Sequence, residues 1–386
     1  MKSEFIPLSV PNLRGNELQN VTKAIESEWV STAGPYVDEF EKNVAEYVHT
    51  EGAVACQNGT SGLHIALMLT GVTKEDEVIV PTLTFIAAVN PVKYIGAEPV
   101  FMDCDDSLCM DPVSLKKFCE EECVYENGEL WDKKTKKRVK TVVAVHVFGN
   151  MADMEKICDI AATYGLKVVE DATEAIGTYY TAGRFQGRFA GTIGDVGVFS
   201  FNGNKIMTTG GGGMIVSNDM ELLKKAKHLT TQAKSDELYY MHDEIGFNYR
   251  MTNLQAALGV AQLEQLEDFI HVKEENYQEY KKRIDKIDGL KLLPVRQGIR
   301  SNHWFYALYC DGCKFERDNM IKHLSEHKIQ SRPIWGLIHE QKPYQNARAY
   351  QVNKAYVYCQ HVVNVPCSTN LTKEQVNRVI DVIETC

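Results

Sequence analysis

The 386-residue chain lacks an uninterrupted apolar stretch long enough for a membrane-spanning helix, so a membrane partner is not indicated. Its first residues, MKSEFIPLSVPNLRG, also lack the apolar region of a secretory signal peptide, and we expect a cytoplasmic protein. Neither an internal repeat nor a low-complexity segment is present. A hydrophobic content of 44% with 24% charged residues excludes a disordered or fibrous chain.

Positive charge is in short supply, because 42 Lys and Arg stand against 52 Asp and Glu and leave a formal net charge of −10. This balance argues against a broad nucleic-acid-binding surface. It still permits a local basic pocket for a phosphorylated small molecule. The basic run 133–140 would suit a polyanion, but it ends a polar segment that begins at Tyr125, and we favour a solvated hairpin inserted before the next strand.

A second Cys-x-x-Cys motif is missing. The pair Cys310 and Cys313 stands alone, so a zinc site would need Cys119 and Cys123 as its other half. The odd total of eleven cysteines, without a secretory signal, favours reduced thiols over disulfides or zinc, and we predict no metal site.

Short apolar runs alternate with helical patterns over the first two thirds of the chain. The spacing predicts helices at 17–27 and 35–48, and it predicts strands at 53–56, 77–80, 98–102, 142–145 and 166–169. This alternation is typical of a mostly parallel sheet with helices on both faces. In such sheets ligands bind at the carboxyl ends of the strands.

The last third of the chain has a different pattern. Residues 251–287 are strongly helical, and a predicted strand at 304–310 is followed by predicted helices at 314–326 and 372–385. We therefore predict an α/β protein with an N-terminal arm and large domain over residues 1–248 and a smaller α+β domain over residues 249–386.

Two segments at predicted strand ends suit an aromatic phosphate ester. Residues 58–61, Asn-Gly-Thr-Ser, stand between a strand and a helix, where hydroxyls and free N–H groups can bind a phosphate. The same Thr-Ser pair would also serve as an ordinary helix cap. Phe85 leaves the next strand end, where it can stack on a flat heteroaromatic ring or pack in the core.

Two further segments carry reactive groups. Asp171 directly follows an apolar strand, so its carboxylate can hold a pyridine nitrogen protonated, or else cap a helix. Lys205 ends the loop Asn-Gly-Asn-Lys, where desolvation would lower its pKa and make it a candidate Schiff-base nucleophile. The glycines at 210–213 match neither a dinucleotide motif nor a P-loop, and they indicate a close backbone approach beside a cofactor.

Five motifs occur in order along almost the whole chain: Asn58–Ser61, Thr84–Phe85, Glu170–Ala172, Ser200–Lys205 and Asn248–Met251. Together they resemble the DegT/DnrJ-type sugar-nucleotide aminotransferases, which are fold-type-I enzymes that use pyridoxal 5'-phosphate (PLP). The resemblance implies a large domain with a mixed, mostly parallel sheet and a smaller C-terminal domain. It also implies PLP as the cofactor.

The resemblance assigns a role to each motif. Lys205 would bind PLP covalently, Asp171 would pair with the ring nitrogen, and Phe85 would stack on the ring. Three hydroxyl side chains would hold the cofactor phosphate: Thr60, Ser61 and Ser200. Glu174, which is Gln in many relatives, would belong to the same cofactor site. In this family an Asn at the position of Asn248 reaches the neighbouring subunit's cofactor, so a homodimer with shared active sites is expected.

The expected reaction transfers an amino group from L-glutamate to C4 of a nucleotide-linked 4-keto-6-deoxy sugar. The sequence around Lys205 and the segment around Trp131 resemble the branch that makes UDP-linked 4-amino sugars for bacillosamine and legionaminic-type glycans. The predicted substrate contacts are Gly34, Pro35, Arg332, Trp335 and His339, although Arg332 would equally suit a surface ion pair.

Three alternatives stay open at this point. The motifs fit a GDP-linked 4-keto-6-deoxy sugar as well as a UDP-linked one. A PLP-dependent sugar dehydratase would share the fold, but in that class a His replaces the lysine found here as Lys205. A non-catalytic sensor that retains the PLP pocket is a third reading, against which the intact Lys205 and Asp171 argue.

Overall fold

The computed structural model describes residues 4–236 and 238–386. Within them the α-helices are α1 Glu17–Glu26, α2 Pro35–Val48, α3 Gly59–Leu69, α4 Asn90–Ile95, α5 Pro112–Lys117, α6 Met154–Tyr164, α7 Met220–Thr230, α8 Asn253–Leu263, α9 Leu266–Ile284, α10 Arg317–Glu326, α11 Lys354–His361 and α12 Lys373–Glu384. The first ten strands are β1 Gly52–Cys56, β2 Asp76–Pro81, β3 Glu98–Met102, β4 Cys123–Glu126, β5 Glu129–Asp132, β6 Arg138–Val145, β7 Lys167–Asp171, β8 Tyr179–Tyr180, β9 Val196–Ser200 and β10 Gly213–Ser217. The later strands are β11 Lys234–Asp236, β12 Met241–His242, β13 Leu290–Leu292, β14 Ile299–Arg300, β15 Tyr306–Cys310, β16 Arg332–Pro333, β17 Arg348–Tyr350 and β18 Val362–Val365.

The large sheet has the strand order β1-β10-β9-β7-β6-β2-β3-β17. Neighbouring strands from β9 to β17 run parallel, and β10 runs antiparallel to both β1 and β9. Every residue of β2, β9 and β10 is buried, which is typical of strands covered by helices on both faces. The predicted mixed, mostly parallel sheet flanked by helices is therefore confirmed. Its parallel strands bring the carboxyl ends of β7 and β9 to one edge.

A second, four-stranded antiparallel sheet has the order β13-β15-β18-β16. Its residues join those of α9, α10 and α12 in a separate buried cluster that includes Tyr280, Tyr306 and Ile383. The C-terminal part also completes the large sheet, since β17 pairs with β3, and Trp304 packs in the larger core. The division of the chain after residue 248 stays a prediction.

Local capping explains several helix starts. The Asn58 side chain accepts a hydrogen bond from the Ser61 N–H and begins α3, while Thr372 and Gln375 form a reciprocal capping box that begins α12. The helix predicted over 251–287 is two helices, α8 and α9. The break falls at Glu264 and Gln265, and the Gln265 side chain donates there to Glu17 of α1.

The polar segment before β6 forms the predicted hairpin. Strands β4 and β5 pair with each other, and β5 then pairs with the amino end of β6 at Arg138 and Val139. Tyr125 and Trp131 point partly into solvent on this hairpin. The solvated hairpin expected from the sequence is therefore confirmed.

The cysteines considered for zinc lie at separate places in the fold. Cys119 and Cys123 are buried beside α5, whereas Cys310 is buried on β15 and Cys313 is exposed beyond it. All eleven cysteines fall within the described residues and are free thiols. Across residues 4–236 and 238–386, no helix combines the length and the apolar character that crossing a membrane requires.

Candidate active site

A cavity of about 270 Å³ opens where the carboxyl ends of β7 and β9 meet the amino end of α3. It is the place that the parallel sheet predicts for a ligand. Its lining residues come from both parts of the chain: Asn58, Gly59, Thr60, Leu63, Thr84, Phe85, Ala87, Ala88, Asp171, Thr173, Glu174, Ser200, Asn202, Asn204, Lys205, Trp304, Phe305 and Trp335.

The start of α3 forms one wall of the cavity. Asn58 Oδ1 accepts from both the backbone N–H and the hydroxyl of Ser61, at 2.8 and 3.0 Å, so Asn58 rather than the Thr-Ser pair caps the helix. Thr60 lines the cavity, whereas Ser61 is buried behind it. A Cβ on Gly59 would lie 2.9 Å from a carbon of Ser200. Glycine therefore permits a close approach that leaves helix N–H groups free for an anion.

Asp171 occupies the carboxyl end of β7 and is 3% exposed. Its carboxylate accepts from the Thr173 N–H at 3.1 Å, and the chain after it forms turns, so it does not cap a helix. Burial raises the pKa of Asp171, while the Thr173 hydrogen bonds and the charge of Lys205 oppose the rise. A buried carboxylate with so little local compensation is suited to a cationic ligand atom.

Lys205 reaches the cavity from the loop after β9, and its side chain is 12% exposed. Its Nζ lies 3.7 Å from Glu174 Oε1 and 4.0 Å from the ring centre of Trp304. Burial lowers the pKa of Lys205, and the carboxylates of Glu174 and Asp171 oppose that change. An amine whose pKa is lowered by burial spends more time neutral, which is the nucleophilic state.

Glu174 is buried on the turn after Asp171. Its Oε2 accepts from the Phe148 N–H at 2.8 Å, which leaves Oε1 towards Lys205. Burial raises the pKa of Glu174 to about 7, against the opposing charge of Lys205. The Glu174–Lys205 pair can therefore change its protonation near neutral pH.

The residue before Asp171 belongs to a buried polar network. His146 Nδ1 accepts from the Ala152 N–H at 3.2 Å, so its Nε2 donates to Glu170 Oε2 at 2.8 Å. Burial alone would raise the pKa of Glu170, but the hydrogen bonds from His146 and from backbone N–H groups hold it below its usual value. This network anchors the end of β7 and so the position of Asp171.

Phe85 stands at the rim of the cavity with 52% of its surface exposed, which excludes the alternative of a core residue. Its ring centre is 6.4 Å from that of Trp335, the one predicted substrate residue that lines the cavity. Trp335 in turn packs on Phe148 at 4.8 Å. Together with Phe305 these rings form an aromatic wall across from α3.

The other predicted substrate residues lie outside this cavity. His339 shares hydrogen bonds with Thr82 and Tyr356. Gly34 and Pro35 stand at the start of α2, where a Cβ on Gly34 would overlap Asn253. Arg332 is exposed on β16 and forms no ion pair with any residue in 4–236 or 238–386. The surface ion pair considered for Arg332 is therefore not observed.

Asn248 also lies outside the cavity of its own chain. It is exposed, and its Oδ1 accepts from the Arg250 guanidinium at 3.3 Å. Asn248 is therefore not among the residues that line the cavity with Ser200 and Lys205. It leaves Asn248 accessible from outside the chain.

Trp304, Phe305 and Thr173 line the cavity but were not predicted. Thr173 carries a readable signal, because it follows Asp171 by two residues in the turn after a strand. Trp304 and Phe305 carry none, because they stand about one hundred residues after Lys205 and reach it only through packing of the C-terminal part on the large sheet.

The residues present fit PLP. Three groups surround this one space and match three parts of the cofactor. The amine of Lys205 suits the aldehyde, and the buried carboxylate of Asp171 suits the ring nitrogen. The start of α3 at Gly59 suits the phosphate. The chain matches the DegT/DnrJ/EryC1/StrS aminotransferase family over residues 11–384. It belongs to this family. It is therefore a PLP-dependent sugar-nucleotide aminotransferase, and its fold is that of the fold-type-I enzymes.

Three relatives align with this chain over nearly the full length of both proteins. EpsN of Bacillus subtilis is 36% identical over 98% of this chain and 95% of EpsN. GDP-perosamine synthase of Escherichia coli O157:H7 is 37% identical over 97% of this chain and 96% of the synthase. The crystal structure of the aminotransferase TlmJ from Streptoalloteichus hindustanus superposes with a TM-score of 0.88 at 27% identity, over 99% of this chain and 98% of TlmJ. These similarities support the family and leave the UDP-linked branch as a prediction.

Proposed function

We propose that this aminotransferase moves an amino group from L-glutamate to C4 of a GDP-linked 4-keto-6-deoxy sugar. The observation that carries the reaction type is that the amine of Lys205 and the buried carboxylate of Asp171 line one cavity. The GDP-linked sugar is supported by the 37% identity with GDP-perosamine synthase along nearly the full length of both chains. The intact Lys205 argues against the dehydratase and the non-catalytic sensor.

A UDP-linked 4-keto-6-deoxy sugar is the second candidate, favoured by the sequence around Lys205. The other feature behind it is the hairpin around Trp131, which joins β6 at Arg138 and supplies no residue to the cavity lining. It supports the UDP-linked sugar through its resemblance alone.

The residues of the site divide the tasks of this reaction among them. Bound PLP supplies an electron sink for the negative charge that develops at the substrate carbon. Asp171 would hold the ring nitrogen, and its carboxylate form is favoured once a positive charge lies beside it. Lys205 would bind the cofactor and, once released, move a proton with its Nζ. Thr60, Ser200 and the start of α3 would hold the phosphate.

The aromatic wall supports a deoxy sugar. Phe85 at the rim would cover the cofactor ring, while Trp335 and Phe305 present apolar surface to the same space. A methyl group at C6 can lie against such surface, whereas a hydroxyl there would lose hydrogen bonds to water. Arg332, exposed on β16, is available for a carboxylate of the amino donor or for the diphosphate of the nucleotide.

We also propose a homodimer with shared active sites. Asn248 is turned away from its own cavity, and the β11–β12 segment just before it exposes a row of large apolar side chains: Leu238, Tyr239, Tyr240, Met241 and Ile245. Exposed apolar patches of this kind mark interaction sites. A second copy of the chain would cover them and place Asn248 near the neighbouring cofactor.

The test begins with the visible absorption spectrum of the purified protein before and after L-glutamate. We expect a yellow band that bleaches with L-glutamate and returns on addition of the GDP-linked keto sugar. Return with the UDP-linked sugar alone would favour the second candidate. A band that is indifferent to L-glutamate would overturn the proposed donor, and light scattering would test the dimer separately.

A further inference from the structure

The amino group of Lys205 is held between two side chains that come from different parts of the chain. Glu174 Oε1 lies 3.7 Å from Nζ on one side, and the ring centre of Trp304 lies 4.0 Å from it on the other. A carboxylate and the face of an indole both attract a positive charge. Both partners are buried, at 5% and 3% exposure, so water screens little of this attraction.

Trp304 is fixed in this position by the backbone next to Lys205. Its indole N–H donates to the carbonyl of Asn204 at 2.8 Å, so the residue that contacts the lysine side chain also holds the preceding peptide. The Trp304 carbonyl accepts from Lys273 Nζ at 3.0 Å. The ring therefore has little freedom to leave Lys205.

Asn302 ties the two partners together. Its side chain donates to the carbonyl of Glu174 at 3.0 Å and to that of Ile176 at 2.9 Å, and it accepts from the Trp304 N–H at 3.0 Å. Asn302 is fully buried, and a Cβ on Gly149 would collide with its Oδ1. One amide thus links the turn that carries Glu174 to the segment that carries Trp304.

The charges around Lys205 oppose the effect of its burial. Burial lowers the pKa of Lys205, and the carboxylates that face it, Glu174 first and Asp171 second, raise it. His146 acts on the second of these carboxylates, because its charge lowers the pKa of Asp171. Without these partners the freed amine would be a poor base, because the buried ammonium would be unstable.

We propose that Glu174 and Trp304, positioned by Asn302, form a lysine clamp that stabilises the protonated amino group of Lys205 whenever this lysine is free. The clamp gives the released lysine the proton affinity that a base needs to take a proton from carbon. Glu174 and Trp304 contact the reacting amine, and Asn302 acts through them. The inference rests on Lys205 being the lysine that binds the cofactor in the proposed function.

The test measures the titration of Lys205 in the full-length, cofactor-free protein. Acetic anhydride labels the neutral amine, and peptide mass spectrometry reports the labelled fraction of Lys205 at each pH. In Glu174→Gln we expect the pH midpoint of Lys205 labelling to fall by about one unit, because one opposite charge is lost. At a pH below the midpoint, the neutral fraction of Lys205 should then be about tenfold larger than in wild type. In Trp304→Leu we expect a smaller fall in the same direction.

Two further variants separate this effect from general damage. Glu174→Asp keeps the charge and should hold the midpoint above that of Glu174→Gln. Glu340→Gln removes a similar charge at an exposed site outside the cavity and should leave the midpoint at its wild-type value. If Glu174→Gln does not fold, Trp304→Leu carries the test.

An unchanged or raised midpoint in both Glu174→Gln and Trp304→Leu would overturn the clamp. Because the labelling involves no sugar and no amino donor, it can fail while the proposed function holds. Conversely, a wrong sugar would show in the absorption test and leave the Lys205 titration as expected.

Discussion

Replacing Gly59 by alanine tests the close contact on which the phosphate site depends. The new methyl group would lie 2.9 Å from Ser200 Cβ and from Thr173 Cγ2, whereas carbon atoms in contact prefer about 3.5–4.0 Å. Neither neighbour can yield freely. Ser200 ends β9 and pairs with Gly213 of β10, and the Thr173 N–H is bound to Asp171.

Overpacking of this kind costs about 1–3 kcal/mol. If the cost falls on the cofactor site, the dissociation constant for PLP should rise by about 5- to 150-fold, because about 1.4 kcal/mol is tenfold. The helix itself should not suffer, since alanine is a better helix former than glycine. Titration of the cofactor-free protein with PLP, followed by absorbance, gives the constant.

Gly336→Ala is the matched control, because a Cβ there meets no atom within 4 Å. It should bind PLP with wild-type affinity. A Gly59→Ala protein with both wild-type PLP affinity and wild-type melting temperature would refute the reasoning, because the methyl group would then have found space that the structure denies it.

Three other substitutions test separate parts of the molecule. Lys205→Ala should abolish turnover and the glutamate-sensitive visible band while still binding PLP non-covalently, and wild-type-like turnover would remove Lys205 from its role. Asn248→Ala should release PLP faster on dialysis from a dimer, whereas a fully active monomer in light scattering would contradict a shared site. The Glu274 carboxylate accepts a hydrogen bond from His303 Nε2. This hydrogen bond lowers the pKa of Glu274 to about 2 from its ordinary 4.5. A lowered pKa stabilises the fold above about pH 4.5, and this stabilisation is lost as the pH falls towards 2. Glu274→Gln should therefore lower the free energy of unfolding at pH 7 by about 1 kcal/mol, after a discount for the 44% exposure of Glu274, and should match wild type in acid. A difference in urea melts that does not change with pH would exclude this linkage.

The strand and helix pattern was enough to predict the fold class because its signals are local. Strands β2, β3 and β7 begin and end within two residues of their predicted positions, while β6 ends as predicted at Val145 but begins four residues earlier, at Arg138. The residues that end these strands were predicted for the same reason, since a parallel sheet brings its carboxyl ends together whatever the connections are. The position of Asp171 and Lys205 beside one cavity could therefore be predicted from the sequence.

Contacts made across the two parts of the chain could not be predicted in this way. Trp304 reaches Lys205 only because α9 and the small sheet dock on the large sheet, and Asn302 gains its role from the same docking. The predicted substrate contacts of Gly34 and His339 stay predictions. Their motifs are in place, but Gly34 packs on Asn253 and His339 bonds Thr82, outside the cavity that holds Lys205.

The residues that line the cavity come from two parts of the chain. Asp171 ends β7, and Glu174 and Lys205 lie on the turn after β7 and the loop after β9. Trp304 and Trp335 arrive from the C-terminal part and close the opposite wall. Of these two residues, Trp304 contacts Lys205, whereas Trp335 packs on Phe85 and Phe148. We therefore expect a change at Trp335 to alter which sugar fits, and a change at Trp304 to affect Lys205 as well. Differences in sugar specificity between relatives of this fold should therefore lie at Trp335 and in exposed residues such as Arg332, rather than at Asp171, Lys205 or Trp304.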